Sequence, residues 1–170
     1  MEIRVAETAG FCFGVNRAVN ILYKMIEEGR KVCTLGPIIH NPQVIEDLEA
    51  KGVRIISDVS EVPEGYEVVI RAHGVTKQTV ESLDKSGVSY TDATCPYVLK
   101  IHRIIKEQTN ENDIVLIAGD GEHPEVKGFS SHCKGVYYTF KNEEELHSIL
   151  SDNDNFENKQ IYFCRHLCLF

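Results

Sequence analysis

The feature that most constrains the fold of this chain is a repeat at an offset of 83 residues, the separation of Cys12 and Cys95. At the same offset, without a gap, Gly36 meets Gly119 and His40 meets His123. Two unrelated α/β segments can share apolar and Gly positions for packing reasons, but shared Cys and His are not explained in that way. We therefore predict two similar units, each of which supplies one cysteine and one histidine.

Short β-rich runs alternate with apolar residues at helical spacing along both units. The pattern predicts strands at residues 3–6, 32–35, 53–56, 67–72, 88–90, 113–118, 136–140 and from 161, with helices between most of them. Such alternation is typical of an α/β fold with repeated small units and mostly parallel sheets. We assign residues 1–94 to the first unit and residues 95–170 to the second.

The net charge and the apolar content limit the kinds of molecule that this protein is expected to bind. The formal net charge is −8, whereas nucleic acids and anionic membranes are bound through clustered Lys and Arg, so we expect neither as a partner. No stretch is apolar enough to span a membrane, and the N-terminus has no apolar signal core. The sequence therefore predicts a cytoplasmic protein, in which the six Cys are not expected to form structural disulfides.

Five reactive side chains follow predicted strands. They are Cys12, His40, His73, Cys95 and His123. In parallel α/β folds ligands bind at the carboxyl ends of strands, and a helix start there suits a phosphate. Two Cys so far apart do not resemble a zinc ribbon, which uses Cys pairs, but they suit an iron–sulfur cluster held between units.

Glu125 breaks the symmetry of the repeat, since its partner in the first unit is Pro42. It is a candidate proton donor, although a carboxylate in the first turn of a helix is also favourable by itself. A cubic cluster needs a third thiolate, and a third repeat of the offset would fall beyond residue 170. Cys164 and Cys168 form the one local Cys cluster, and whether either can replace the missing ligand stays open.

Five motifs in order resemble the 4-hydroxy-3-methylbut-2-enyl diphosphate reductase family. They are Gly10-Phe11-Cys12-Phe13-Gly14-Val15, Gly36-Pro37-Ile38-Ile39-His40-Asn41, Ile70-Arg71-Ala72-His73-Gly74, Asp92-Ala93-Thr94-Cys95-Pro96 and His123-Pro124-Glu125-Val126-Lys127-Gly128. The resemblance implies a fold of three similar α/β units around a [4Fe-4S] cluster. It also implies reductive removal of a hydroxyl from an allylic diphosphate in the methylerythritol phosphate pathway, which yields isopentenyl and dimethylallyl diphosphates.

The resemblance also implies roles for single residues. Cys12 and Cys95 match two cluster ligands, and Glu125 matches the proton donor. Three histidines match the diphosphate-binding residues of the family: His40, His73 and His123. A ferredoxin or flavodoxin would supply the two electrons.

The last residues depart from the family pattern. The family carries a Gln-Thr-Thr segment after the strand near residue 161, where this chain reads Phe163-Cys164-Arg165-His166. The third cluster Cys and a later Ser-x-Asn diphosphate loop have no counterpart. The expectation is therefore a truncated or frameshifted form, without the third unit and with little activity. Two other readings stay open, a zinc-dependent hydrolase using the three histidines with Glu125, and a non-catalytic diphosphate-binding fragment.

Overall fold

Helices and strands alternate along the part of the chain that this computed structural model describes, which is residue 4, residues 10–151 and residues 156–166. The strand that the sequence predicts at residues 3–6 lies outside the described residues except for Arg4. Among the described helices, none is both long and apolar enough to cross a membrane.

The first sheet has four strands, all parallel, in the order β2-β1-β3-β4. Its elements run in the chain as α1 (Phe13–Glu27), β1 (Val32–Leu35), α2 (Pro42–Ala50), β2 (Arg54–Ile56), a 3₁₀ turn (Val59–Glu61), β3 (Glu67–Ile70), α3 (Lys77–Ser86) and β4 (Tyr90–Asp92).

The second sheet has three parallel strands in the order β6-β5-β7. Its elements are α4 (Pro96–Gln108), β5 (Ile114–Ala118), α5 (Pro124–Ser130), β6 (Val136–Phe140), α6 (Glu143–Ser151) and β7 (Ile161–Arg165). Both sheets confirm the predicted α/β fold class with parallel strands. The division at residues 94 and 95 stays a prediction; it falls between the end of β4 and the start of α4.

The repeat is visible in how the strands end. Gly36 follows β1 and donates its backbone N–H to the carbonyl oxygen of Ile56 at 2.8 Å. Gly119 follows β5 and donates to the carbonyl oxygen of Phe140, also at 2.8 Å. Gly36 has φ +72°, a left-handed conformation that other residues adopt only with strain. Gly119 has φ +158°, so the two units share the hydrogen bond at the carboxyl edge of the sheet but not the backbone conformation of the glycine.

Helix starts match the residue types that the sequence places there. Asn41 caps α2 by accepting from the backbone N–H of Val44 at 3.2 Å, and Pro42 occupies the first turn, where its missing N–H costs nothing. Thr76 caps α3 in the same way, through the N–H of Thr79. Cys12 and Cys95 are also N-cap residues, of α1 and α4, but their side chains make no capping hydrogen bond.

One predicted strand is two residues shorter in the structure, and another is shifted by two residues. The strand expected at residues 67–72 ends at Ile70, and the strand expected at residues 88–90 is Tyr90–Asp92. The chain leaves the sheet after Ile70 because Ala72 exchanges backbone hydrogen bonds with loops, donating to Ile38 and accepting from Cys95. Those loops carry the reactive side chains, so the end of β3 joins the loops into one site.

Candidate functional site

Cys12 and Cys95 line one cavity with a volume of about 310 Å³. Ala72, His73, Val98 and Glu125 line the same cavity. Both cysteines are N-cap residues, so each thiol lies beside the partial positive charge of a helix N-terminus. The repeat predicts that both sulfurs face one cavity with His40 and His123 on its wall. Both cysteines line this cavity, but its described lining includes His73 and neither of the other two histidines.

The loop that carries Cys95 is fixed to the first helix. Arg17 of α1 donates to the carbonyl oxygens of Thr94 at 3.2 Å and Asp92 at 3.3 Å. Gly14 lies directly against Cys95, since a Cβ added to Gly14 would be 2.5 Å from the Cys95 sulfur. The Gly at this position of the Gly-Phe-Cys-Phe-Gly motif therefore makes room for a sulfur from the other repeat.

These two thiols are the ligand type that an iron–sulfur cluster takes, and they face a mostly apolar space. The described residues supply only part of the ligand set of such a cluster. Two thiols line the cavity, whereas a cubic cluster with one open iron takes three. Cys12 and Cys95 are the residues of the described chain that would hold it.

Three histidines meet beside this cavity. The ring centroids of His40 and His73 are 4.7 Å apart, and those of His73 and His123 are 5.5 Å apart. One nitrogen from each of the three rings lies within 4.8 Å of the others. Each follows a different strand, β1, β3 and β5, so the carboxyl edges of both sheets contribute to one cluster.

Two rings of the histidine cluster, those of His73 and His123, are neutral imidazoles at pH 7. Burial, followed by the charges of neighbouring groups, lowers the pKa of both His73 and His123 to about 4. The Nδ1 atom of His123 accepts the backbone N–H of Glu125 at 3.2 Å, so Nε2 carries the proton and is free to donate. The buried Nδ1 of His73 has no hydrogen-bond partner among the described residues. Such nitrogens can donate to phosphate oxygens or bind a metal.

Glu125 is buried at the junction of the thiol cavity and the histidines, with 1% of its surface exposed. Its Oε2 atom lies 3.5 Å from Nε2 of His166. A buried carboxyl group against an apolar, thiol-lined space can deliver a proton to a ligand there. Glu125 therefore lies within reach of a ligand in this cavity, and its role as proton donor stays a prediction.

His166 is a site residue that the sequence reasoning missed. Its ring centroid is 3.9 Å from that of His123, and its backbone N–H donates to Ala118 at 2.9 Å, which extends the pairing of β5 and β7. Gly119 makes room for it, because an added Cβ there would be 2.9 Å from Cβ of His166. The available signal was the alternation along β7, which puts residue 166 on the half-buried face with Tyr162 and Cys164.

Cys164 does not line the cavity of Cys12 and Cys95. It lines a different space of about 140 Å³ with Ile101 and Tyr162, and burial raises its pKa to about 11. Burial likewise raises the pKa of Cys133 to about 12. Both are therefore protonated thiols at neutral pH, unsuited as ready ligands. Cys168 lies outside the described residues.

Lowering the pH from 7 to 4 is expected to destabilise the fold. Burial lowers the pKa of His73 and of His102 from 6.5 to about 4, so both stay neutral in the folded protein while the unfolded chain takes up protons below 6.5. Stability is therefore full above pH 6.5 and is lost as the pH falls towards 4. The free energy of unfolding should fall by at most about 1.4 kcal/mol per pH unit for each histidine. Urea denaturation at several pH values measures this slope.

His102→Gln provides the sharper comparison, because it removes one buried imidazole outside the thiol cavity, packed on Phe129 with ring centroids 5.6 Å apart. The slope between pH 6.5 and 4 should become shallower in this variant. His147→Gln is the matched control, since His147 is exposed on α6. Equal slopes in the parent and the His102→Gln protein would contradict the assignment.

The chain matches the family model described as LytB protein over residues 3–166. It is 44% identical over 153 residues to the 4-hydroxy-3-methylbut-2-enyl diphosphate reductase of Thermoanaerobacter sp. (strain X514), covering 88% of this chain and 53% of the relative. The reductase of the same name from Geobacter sp. (strain M21) is 38% identical over 146 residues, covering 86% of this chain and 52% of the relative.

Solved structures agree with these matches. The E-1-hydroxy-2-methyl-but-2-enyl-4-diphosphate reductase from Plasmodium falciparum superposes with a TM-score of 0.82 at 30% identity, covering 94% of this chain and 49% of that chain. A second structure, of (E)-4-hydroxy-3-methyl-but-2-enyl diphosphate reductase, gives a TM-score of 0.71 at 34% identity. The chain spans about half the length of the curated relatives it matches.

Proposed function

The chain belongs to the LytB protein family, and from this premise we propose that it carries the diphosphate-binding and proton-donating part of a 4-hydroxy-3-methylbut-2-enyl diphosphate reductase. The observation that supports the proposal is that an apolar, thiol-lined cavity lies next to a cluster of histidines. Two thiols from equivalent helix starts line one cavity, and three histidine rings meet beside it. An allylic diphosphate has the same polarity, with an apolar chain at one end and a charged group at the other.

The histidines would bind the diphosphate. Nε2–H of His123 can donate to a phosphate oxygen, and the start of α5 adds a favourable partial charge, although this helix is short. The pKa of about 4 for His73 and His123 belongs to the protein without ligand. A neighbouring diphosphate would favour the protonated rings, so binding should be coupled to proton uptake.

Cys12 and Cys95 would hold a [4Fe-4S] cluster, which when bound supplies the electrons for removal of the hydroxyl. Glu125 would protonate the departing oxygen so that it leaves as water. Phe13 and Tyr97 follow the two cysteines and are about two-thirds exposed, which leaves the cavity approachable by an electron donor such as a ferredoxin or flavodoxin. A reducing, cytoplasmic location belongs to this proposal, because the thiols must stay reduced.

His123→Ala should weaken diphosphate binding by about one to two decades. The expectation follows from the loss of a hydrogen bond to a charged ligand, worth roughly 1.5–3 kcal/mol. Calorimetric titration of inorganic pyrophosphate into the 170-residue chain measures the change. His147→Ala, on exposed α6, is the control. Unchanged affinity in the His123→Ala protein would remove the histidine cluster from the proposal.

A zinc site is the second candidate, favoured by the three histidine nitrogens within 4.8 Å of one another and by Glu125 nearby. Neutral imidazoles are good zinc ligands. The charge of Arg71 opposes a cation there, since it lowers the pKa of both His73 and His123. Metal analysis of protein purified without oxygen separates the two readings: iron with acid-labile sulfide supports the reductase, and zinc supports a hydrolase.

A further inference from the structure

One buried imidazole lies next to the loops of the thiol cavity without lining it. His102 is on α4, the helix that begins after Cys95, and 8% of its surface is exposed. Its Nε2 atom has no hydrogen-bond partner among the described residues. Burial, followed by the neighbouring His132, lowers the pKa of His102 to about 4, so the ring is neutral at pH 7. A neutral ring without a hydrogen bond at Nε2 acts through the groups that it packs against.

The His102 ring contacts two glycines from distant parts of the chain. A Cβ added to Gly128, on α5, would be 2.9 Å from Nε2 and 3.2 Å from Cε1 of His102. A Cβ added to Gly74, in the loop after β3, would be 3.3 Å from the same Cε1 atom. Gly74 also has φ +75°, where any other residue would be strained. Both glycines therefore leave room for the ring, which packs directly on their backbone.

These two glycines belong to segments that carry residues of the candidate site. Gly74 directly follows His73 in the chain, and Gly128 lies on α5, three residues after Glu125. The N-cap residue of α5 is His123. His73 and Glu125 line the thiol cavity, and the rings of His73 and His123 are neighbours in the histidine cluster. The imidazole on α4 therefore packs against both site segments at once.

Further contacts hold the ring in this place. The ring of Phe129, which is fully buried on α5, meets the His102 ring edge to face, with centroids 5.6 Å apart. The centroid of the His132 ring is 4.6 Å away. Ser131, beside His132 in the chain, accepts the backbone N–H of Lys77 at its Oγ atom at 2.9 Å, which ties the start of α3 to the end of α5. The ring is thus part of the packed contact between α5 and the chain after β3.

We propose that His102 is a positioning residue, whose ring sets the separation of the His73 loop from α5 and so the place of His73 relative to His123 and Glu125. The inference rests on the proposed function for the roles of these three residues. A smaller side chain at position 102 would leave a void, which Gly74 has no side chain to fill, so the loop would relax towards it. Misplacement of a binding group by about 1 Å is enough to weaken its contacts with a ligand.

His102→Ala should weaken pyrophosphate binding about tenfold. His102→Gln, which keeps the length of the side chain, should retain most of the affinity. Calorimetric titration of inorganic pyrophosphate into the 170-residue chain measures both, and circular dichroism shows whether each variant folds. Leu83→Ala is the matched control, because Leu83 is fully buried on α3 in a different apolar cluster. It should lower stability without changing pyrophosphate affinity. Equal losses of affinity in His102→Ala and Leu83→Ala would overturn the proposal.

Gly128→Ala tests the same contact while His102 stays in place. The added Cβ would press on Nε2 of His102, so this variant should also weaken pyrophosphate binding. In the His102→Ala background the same methyl group has room, and adding it should cost no further affinity. Such a double-mutant cycle measures the coupling of the two positions. Unchanged affinity in Gly128→Ala would contradict the proposal, even if His102→Ala did not fold.

Hydrogen exchange tests the position of the loop without a ligand. The backbone N–H of Gly74 donates to the carbonyl oxygen of Arg71 at 3.0 Å, and it should exchange faster in His102→Ala. The N–H of Gly119, bonded to Phe140, is the internal control. Faster exchange at Gly74 with unchanged pyrophosphate affinity would make His102 a packing residue only and overturn the proposal. Absence of pyrophosphate binding to the parent would overturn the proposed function. Exchange at Gly74 would then still decide whether His102 holds the loop, and an unchanged rate would overturn that too.

Discussion

Replacing Glu125 by Gln is expected to lower turnover by roughly 10²–10⁴ in a complete reductase that carries this sequence as its N-terminal part. The amide keeps the shape of the side chain and its place between the thiol cavity and His166, but it has no acidic proton to deliver. Diphosphate affinity should change little, because the histidines remain. Steady-state kinetics with a chemical reductant, combined with pyrophosphate titration, separate the two effects.

The control for this variant is Glu122→Gln, since Glu122 is exposed three residues earlier and does not line the thiol cavity. It should turn over close to the parent rate. If Glu125→Gln also turned over at the parent rate, the role of proton donor would be wrong for this chain. Glu125 would then be a buried carboxyl group whose function is to stabilise the start of α5, as the spacing alone also allows.

Anaerobic reconstitution of the 170-residue chain with iron and sulfide is expected to give an oxygen-labile cluster or none, and little reductase activity. Cys12 and Cys95 supply two thiols to the cavity, and no third Cys of the described residues lines it. A missing ligand exposes iron to water and oxygen, and it also removes metal-binding free energy from the fold. Absorption and Mössbauer spectra, followed by timed exposure to air, measure the result.

The same reconstitution with the Cys164→Ala variant tests whether Cys164 is a cluster ligand. Cys164 lies in a separate apolar space, so its removal should leave the yield and lifetime of the cluster unchanged. Cys12→Ser should abolish what cluster forms. A stable cluster and substrate reduction by the unmodified chain would contradict the expectation. Loss of that stability in Cys164→Ala would identify Cys164 as the stand-in ligand, and its persistence would direct attention to Cys168, outside the described residues.

The alternation of strand and helix patterns determined the fold class. Parallel pairing follows because a helix after each strand returns the chain to the same end of the sheet, and the side chains after the strands then meet at one edge. The offset of Cys12 and Cys95 was sufficient to expect a shared cavity, since equivalent turns of two similar units carry them. Local caps such as Asn41 and Thr76 were predictable because their hydrogen bonds span only three residues.

Only the tertiary structure decided which distant side chains touch. The alternation along β7 predicts that His166 and Cys164 lie on the same face of the strand. It does not predict that His166 lies beside Glu125, or that Cys164 lines a different apolar cavity. The position of the Arg71 guanidinium over Gly36 likewise depends on the pairing of β1 with β3. Sequence periodicity fixes the direction of a side chain relative to its own helix or strand. Its partners across the molecule depend on strand order and register, which come from the packing of the whole fold.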